Sequence, residues 1–277
     1  MTETLVLDKP VSNDSLRNKE ECLLFIQENF GRMSLREMAR KLPFGRTSIC
    51  KWAKELGLFT LKNIVNEDYF TVWNSDMAYI LGFIFADGNI AWDLEKSYRA
   101  LTITAAEKDK AHLEKMRVIL ESTKPLLHSN STNSNRLIVN SVKMCKDLMS
   151  LGVIPRKSLI KEFPIIPKEY TSHFIRGYVD GNGTVRYNDR KISPYFEISI
   201  CSGSNKFLEE LSKVVELNLG IKCNVKNVRN NVYLLRYTCS KGMQFAKWIY
   251  NNQNLCLSRK YKNYEKALNV KKESHYE

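Results

Sequence analysis

Tyr79-Ile80-Leu81-Gly82-Phe83-Ile84-Phe85-Ala86-Asp87-Gly88 is an apolar run that stops abruptly at an acid and a glycine. Gly82 and Ala86 are four residues apart, so on an α-helix they share one face and leave room for a second backbone. The pattern recurs at an offset of 95 residues, in Phe174-Ile175-Arg176-Gly177-Tyr178-Val179-Asp180-Gly181-Asn182-Gly183. There Gly177 and Gly181 stand where Gly82 and Ala86 stood, and Asn182 takes the place of Asp87. Two such helices, packed through their small residues, would bring their last turns together.

Working outward, the chain has 277 residues, enough for one large domain or two to three smaller ones, and its 43 % hydrophobic content supports ordinary cores. No apolar run approaches the roughly 18–20 residues a membrane span needs, so no membrane partner is expected. Met1–Ser15 lacks the basic-then-apolar order of a secretory signal. The expected location is therefore cytoplasmic, in the sense of a bacterial, phage or organellar interior. Seven cysteines, odd in number and without a CxxC spacing, and four scattered histidines give no zinc pattern and read as reduced thiols. No small-molecule cofactor is expected. A net charge of +13 favours a polyanionic partner.

Residues 1–18 are polar and aperiodic and read as a tail. Residues 19–58 read as three short helices. Glu21 to Phe30 has Leu23, Leu24, Ile26 and Phe30 on its apolar face and closes at Gly31. Ser34 and Glu37 form a capping box ahead of Leu35, Met38, Ala39 and Leu42. After Pro43-Phe44-Gly45, Arg46 to Leu56 turns Ile49, Trp52, Ala53 and Leu56 inward, and Gly57 ends it. This arrangement is similar to a helix-turn-helix domain, with Arg46, Thr47, Ser48 and Lys51 on the face that would meet bases and phosphates. A purely structural three-helix bundle has the same pattern. Residues 59–75 read as a linker.

From residue 76 the chain reads as one plan written twice, over 76–168 and 169–268, before a polar tail at 269–277. Tyr98 to Ala105 and Pro194 to Cys201 alternate with period two, as half-buried strands do. Amphipathic helices follow at Asp109 to Leu120 and Asn205 to Leu219. Short strands come next at Pro125 to His128 and Arg136 to Asn140, and at Ile221 to Val228 and Val232 to Thr238, the last two joined by an Arg229-Asn230-Asn231 turn. Helices at Val142 to Leu151 and Lys241 to Tyr250 lead to basic exits carrying Lys157 and Lys260. The expected order is αββαββα per copy: an α+β pseudo-dimer whose two antiparallel sheets form one open surface. Lys222, Asn224 and Lys226 occupy one face of the Ile221-to-Val228 strand, and Arg186, Arg190 and Lys191 precede the preceding strand. Basic, amide-bearing strand faces suit phosphates and major-groove edges. A solvated outer sheet face has the same composition.

Together, Leu81 to Gly88 and Ile175 to Gly183, with Leu151-Gly152, Pro155-Arg156-Lys157-Ser158, Phe163-Pro164 and Arg259-Lys260-Tyr261, resemble the LAGLIDADG homing endonucleases in their single-chain, two-motif form. The resemblance covers roughly residues 76–268 and leaves the helix-turn-helix as an appended module. It implies a site-specific enzyme that hydrolyses double-stranded DNA as a monomer with internal pseudo-two-fold symmetry. Its helices would pack through Gly82, Ala86, Gly177 and Gly181 beneath a saddle of two sheets. The acids at the helix ends would hold Mg²⁺ (or Mn²⁺), with Gly88 beside them, for metal-assisted hydrolysis. Asp87 fills the metal-binding place of the first motif. In the second that place falls on Asn182, whose oxygen can ligate a hard ion but brings no charge. Asp180 is about 200° around the helix and should not substitute. Lys157 and Lys260, 70 and 78 residues beyond Asp87 and Asn182, are the candidates for a catalytic basic pair that helps carry developing charge, or are surface phosphate contacts. Because of Asn182, a non-cleaving DNA-binding regulator or a one-strand nickase fits the same residues, and so does an RNA-binding splicing helper.

Overall fold

Nine consecutive residues of the first motif, Met77 to Phe85, are buried, so its helix has no solvent face and must lie inside the protein. A computed structural model describes residues 18–30, 32–33, 35–58, 64–93, 98–155, 161–189 and 195–273. The chain divides into two compact units, Met1–Lys62 and Asn63–Glu277.

The first unit contains α1 (Lys19–Asn29), α2 (Leu35–Lys41) and α3 (Arg46–Glu55). Asn18, placed by sequence in the tail, caps α1 by accepting from the Glu21 amide at 2.9 Å. Cys22, Ile26, Met38, Leu42, Ile49, Trp52 and Ala53 form its own core, with Phe44 edge-on to Trp52 at 4.8 Å. Ser34, the expected capping-box hydroxyl, lies outside the described residues.

In the second unit α4 (Ser75–Asp87) runs straight into a hairpin of β1 (Gly88–Asp93) and β2 (Tyr98–Ala106). Then come α5 (Lys110–Ile119), β3 (Leu127–Ser129), β4 (Ser134–Val139) and α6 (Val142–Ser150). The second copy repeats this: α7 (Thr171–Asn182), β5 (Gly183–Asn188), β6 (Tyr195–Ser202), α8 (Asn205–Leu219), β7 (Lys226–Arg229), β8 (Val232–Thr238) and α9 (Cys239–Tyr250). A terminal helix, α10 (Ser258–Glu273), follows. Each copy forms a four-stranded antiparallel sheet, ordered β1-β2-β4-β3 and β5-β6-β8-β7. The αββαββα order therefore holds, and the first strand of each hairpin begins at the glycine that ends the motif helix.

Besides shifts of one or two residues at β3 and β4, three stretches differ from the sequence expectation. Ile221 to Val225 is not strand; ladder pairing with β8 begins at Lys226, opposite Leu234. The α8 residue Ser212 donates its hydroxyl to the Cys223 carbonyl at 2.5 Å, and Cys223 Sγ donates to the Arg236 carbonyl at 2.9 Å. Side-chain bonds thus replace the ladder there, although Lys222, Asn224 and Lys226 are exposed as expected. The linker is shorter than 59–75. Ile64 and Thr123 exchange backbone and hydroxyl bonds, Phe70 enters the core and Trp73 stacks on Tyr170, so residues 64–75 belong to the second unit. Finally, α10 continues through residue 273, beyond the expected tail boundary, because Tyr264 and Ala267 seat it on the core and Asn263 donates to the Val185 carbonyl. No helix among the described residues is long and apolar enough to cross a membrane.

Candidate active site at the paired helix ends

The glycines of α4 and α7 let backbone meet backbone. A β-carbon placed on Gly82 would lie 2.0 Å from the Phe174 carbonyl oxygen, and one on Gly177 would lie 1.9 Å from the Tyr79 carbonyl oxygen. These two contacts are equivalents at the 95-residue offset, so the seam is pseudo-symmetric at the level of single atoms. Farther along, a β-carbon on Gly181 would be 2.4 Å from that of Ala86 and 3.5 Å from Asp87 Oδ2. The Asp87 carboxylate therefore lies against the last turn of α7. Both helices close identically: the Gly88 amide donates to the Ile84 carbonyl and the Gly183 amide to the Val179 carbonyl.

Asp87 and Asn182, the equivalent last residues, are both exposed. Asn182 Nδ2 donates to the Cys201 carbonyl of β6 at 2.8 Å. A carboxylate in its place would set an oxygen against the Cys201 carbonyl, so the amide is part of the fold. Asp180 points inward instead. Its Oδ2 accepts from the Tyr79 hydroxyl and the Leu257 amide, each at 2.7 Å. Burial pushes the Asp180 carboxyl up to about 6, against the pull of Lys260 and these donors.

Among the described residues no group of three or more His, Cys, Asp or Glu side chains comes together. The donors available at the helix ends are the Asp87 carboxylate and the Asn182 carboxamide oxygen. The Gly88 amide is engaged with the Ile84 carbonyl. Oxygen donors with one carboxylate fit Mg²⁺, which takes few protein ligands and completes its shell with water and substrate phosphates.

Two buried lysines hold the ends of the helices. Lys260, 3 % exposed, donates to the carbonyls of Val179, Asp180 and Gly183 at 2.8, 2.6 and 2.6 Å. An ammonium has three donors, so all are spent on the C-terminus of α7: the Val179 carbonyl, which also accepts from the Gly183 amide, and the carbonyls of Asp180 and Gly183 beyond it. Its charge also suits the negative end of the helix dipole. Burial lowers Lys260 to about 8. At the equivalent end of α4, Lys161 approaches the Phe85 carbonyl at 3.5 Å and donates to the Tyr178 hydroxyl, with its ammonium over the Tyr178 and Phe207 rings. Phe85 and Asp180 are again equivalents, so Lys161 is the structural counterpart of Lys260. Lys157, the candidate the sequence offers for this place, lies outside the described residues. The available signal for Lys161 was a single lysine in the apolar run Leu159-Ile160-Lys161-Glu162-Phe163.

Residues 169–255 match the LAGLIDADG-like domain. The chain is also 23 % identical over 202 residues to an uncharacterized protein of Methanocaldococcus jannaschii, covering 71 % of this chain and 70 % of that one. Its fold is similar to that of the LAGLIDADG homing endonuclease I-GzeII in complex with a DNA target, with a TM-score of 0.51, 15 % identity and coverage of 74 % and 93 % of the two chains. I-SmaMI bound to an uncleaved DNA target with calcium ions gives a TM-score of 0.51, 13 % identity and coverage of 74 % and 94 %.

The second repeat is not a replica of the first. Tyr79 meets Asp180 across the seam by a hydrogen bond, while at the equivalent place Phe174 meets Phe85 ring to ring at 5.2 Å. On the polar flank Tyr79 also bonds His112 Nε2 at 2.8 Å, and burial lowers His112 to about 4, so the imidazole is neutral. Arg176, fully buried, donates to the carbonyls of Leu255 and Ile249 at 2.9 and 2.7 Å. The other flank is aromatic, with Phe163 and Phe207 joining Phe85 and Phe174. Among the remaining expected residues, Arg46, Thr47 and Lys51 are exposed on α3 while Ser48 is half-buried. Arg186 is exposed on β5; Arg190 and Lys191 lie outside the described residues.

Proposed function

We propose that the protein is a site-specific, homing-type endonuclease that hydrolyses phosphodiester bonds of double-stranded DNA, with Mg²⁺ or Mn²⁺ at the paired ends of α4 and α7. The observation that carries this reading is the glycine seam, which delivers Asp87 and Asn182 to one end of two touching helices at the head of two open sheets. The LAGLIDADG-like domain and the DNA targets of I-GzeII and I-SmaMI support it.

Asp87 supplies the charged ligand and Asn182 a neutral one. When bound, the metal supplies charge neutralisation at the scissile phosphate and a water that ionises more readily. Lys260 and Lys161 fix the height of the two helix ends, and hence the positions of Asp87 and Asn182, by holding the terminal carbonyls. The sheets bind the duplex, and the first unit adds α3 through Arg46, Thr47, Ser48 and Lys51 in the manner of a helix-turn-helix. The chain acts as a monomer, since both motifs are in one polypeptide.

The test starts from a bound site selected out of a random duplex library and placed in a plasmid. Wild-type protein with Mg²⁺ should give linear DNA, and Asp87→Ala should bind the site but leave the plasmid intact. The neutral Asn182 weakens one half of the metal site, so a nicked intermediate should precede the linear product. Tight binding with no cutting in Mg²⁺ or Mn²⁺ would overturn the nuclease reading.

A further inference from the structure

The two sheets correspond residue by residue, and their outward positions differ in kind. Gly88 opens β1 opposite Ile103, which pairs onward with Leu137; Gly183 opens β5 opposite Ile200, which pairs onward with Leu235. From these anchors the outward positions Asn89 and Thr102 correspond to Thr184 and Ser199, small polar groups on both sides. Ala91, Ile138 and Leu127, however, correspond to Arg186, Arg236 and Lys226. One exchange runs the other way, Arg136 against Leu234.

Ala91 and Ile138 are half-buried. Arg186, Arg236 and Lys226 are exposed, and so is Leu127, at 42 %. Arg236 Nε lies 3.5 Å from Glu197 Oε1, and the other Glu197 oxygen accepts from the Tyr195 hydroxyl at 2.6 Å. Glu197 is itself 6 % exposed and stands directly opposite Arg186 in the ladder. It therefore pairs with the Arg236 guanidinium and stands beside Arg186 in the sheet.

We infer that the two sheets read half-sites of different composition: the second reads guanines through Arg186 and Arg236, and the first reads thymine methyls through Ala91, Ile138 and Leu127. This rests on duplex DNA being the ligand. Arginine donates two hydrogen bonds to guanine O6 and N7 in the major groove, and an alkyl group in the same place packs on the thymine C5-methyl. An alkyl group held against a G·C edge leaves polar atoms dehydrated without partners, so it discriminates against guanine. The recognised site is then asymmetric although the scaffold is duplicated.

The experiment uses the full chain with Ca²⁺ and a duplex selected from a random library. Each half of the selected site is then remade separately with 7-deazaguanine, which lacks the N7 acceptor, or with deoxyuridine, which lacks the methyl. Guanine replacement in one half should weaken binding about 10-fold or more per contacted base, and methyl removal should act chiefly in the other half. Arg186→Ala should abolish the 7-deazaguanine response at one position and leave the deoxyuridine response unchanged. Ile138→Arg, an exposed-face exchange, should convert one thymine preference in the opposite half to guanine. Equal sensitivity of both halves to both analogues, or an Arg186→Ala protein with unaltered guanine response, overturns the inference while leaving DNA recognition standing. Failure to enrich any duplex overturns both readings together.

Discussion

At the scale of the residue, contacts across the seam leave no slack. A methyl group on Gly82 or Gly177 would collide with a backbone carbonyl, which cannot swing aside as a side chain can. Gly82→Ala should therefore cost about 3 kcal/mol or more, measured by urea denaturation, because the helices must part along their length. Gly45→Ala, where no atom stands within 4 Å of the added carbon, should be close to neutral. Asp180 offers a test with a definite sign. Burial holds its carboxyl up to about 6 from 3.8, so between these values the folded protein keeps a proton that the unfolded chain has shed. Its contribution to stability falls as pH rises through that window. His112, lowered from 6.5 to about 4, acts in the opposite sense, since there the unfolded chain holds the extra proton. Asp180→Asn should remove the falling component and leave stability rising with pH between about 4 and 6.5. Parallel pH profiles for the two proteins would show that Asp180 titrates normally.

Among the elements, α4 and α7 were legible because burial on all sides, small residues four apart and a second copy are all written in the chain. The helices of the first unit were legible for a related reason, a clear apolar stripe between breakers. Strands β1 and β5 were harder to place, since each is six residues long and begins at the glycine that ends a helix. The stretch from Ile221 to Val225 alternates like a strand and has alternating exposure, yet Ser212 and Cys223 divert it from the ladder. That outcome depends on a helix brought alongside, which no local pattern records. Lys161 escaped for the same reason: a buried lysine is defined by the carbonyl and hydroxyl that receive it. Asn182 was legible as a departure, but its bond to Cys201 was not. The α10 lysine that meets the end of α7 makes an element-level prediction. Lys260→Met would remove the ammonium from the carbonyls of Asp180 and Gly183, at about 1–3 kcal/mol for each one left buried and unpaired, while the Val179 carbonyl keeps the Gly183 amide. Hydrogen exchange of the Gly183 amide, the last bond of α7, should then accelerate before the rest of the core opens.

For the whole molecule, two separate cores imply two separate folding units. A chain beginning at Asn63 keeps every residue of the large core, including Phe70, and should unfold cooperatively with the same midpoint as the large unit of the intact protein. Its affinity for a selected duplex should fall, with a shallower dependence on salt, because the cations of α3 are gone. A midpoint shifted by many degrees would show that the units depend on each other. The unequal flanks of the seam have a consequence for assembly. A polypeptide containing near-copies of one module risks crossed pairing, in which the first module of one chain seizes the first module of another. Such an α4–α4 pair would set the Tyr79 hydroxyl against Phe85, and an α7–α7 pair would press Asp180 onto Phe174. Only the unlike pairing satisfies both ends, with Tyr79 on Asp180 and Phe85 on Phe174. The interface thus carries an identity mark that steers each copy to its sister within the same chain and discourages runaway association at high concentration.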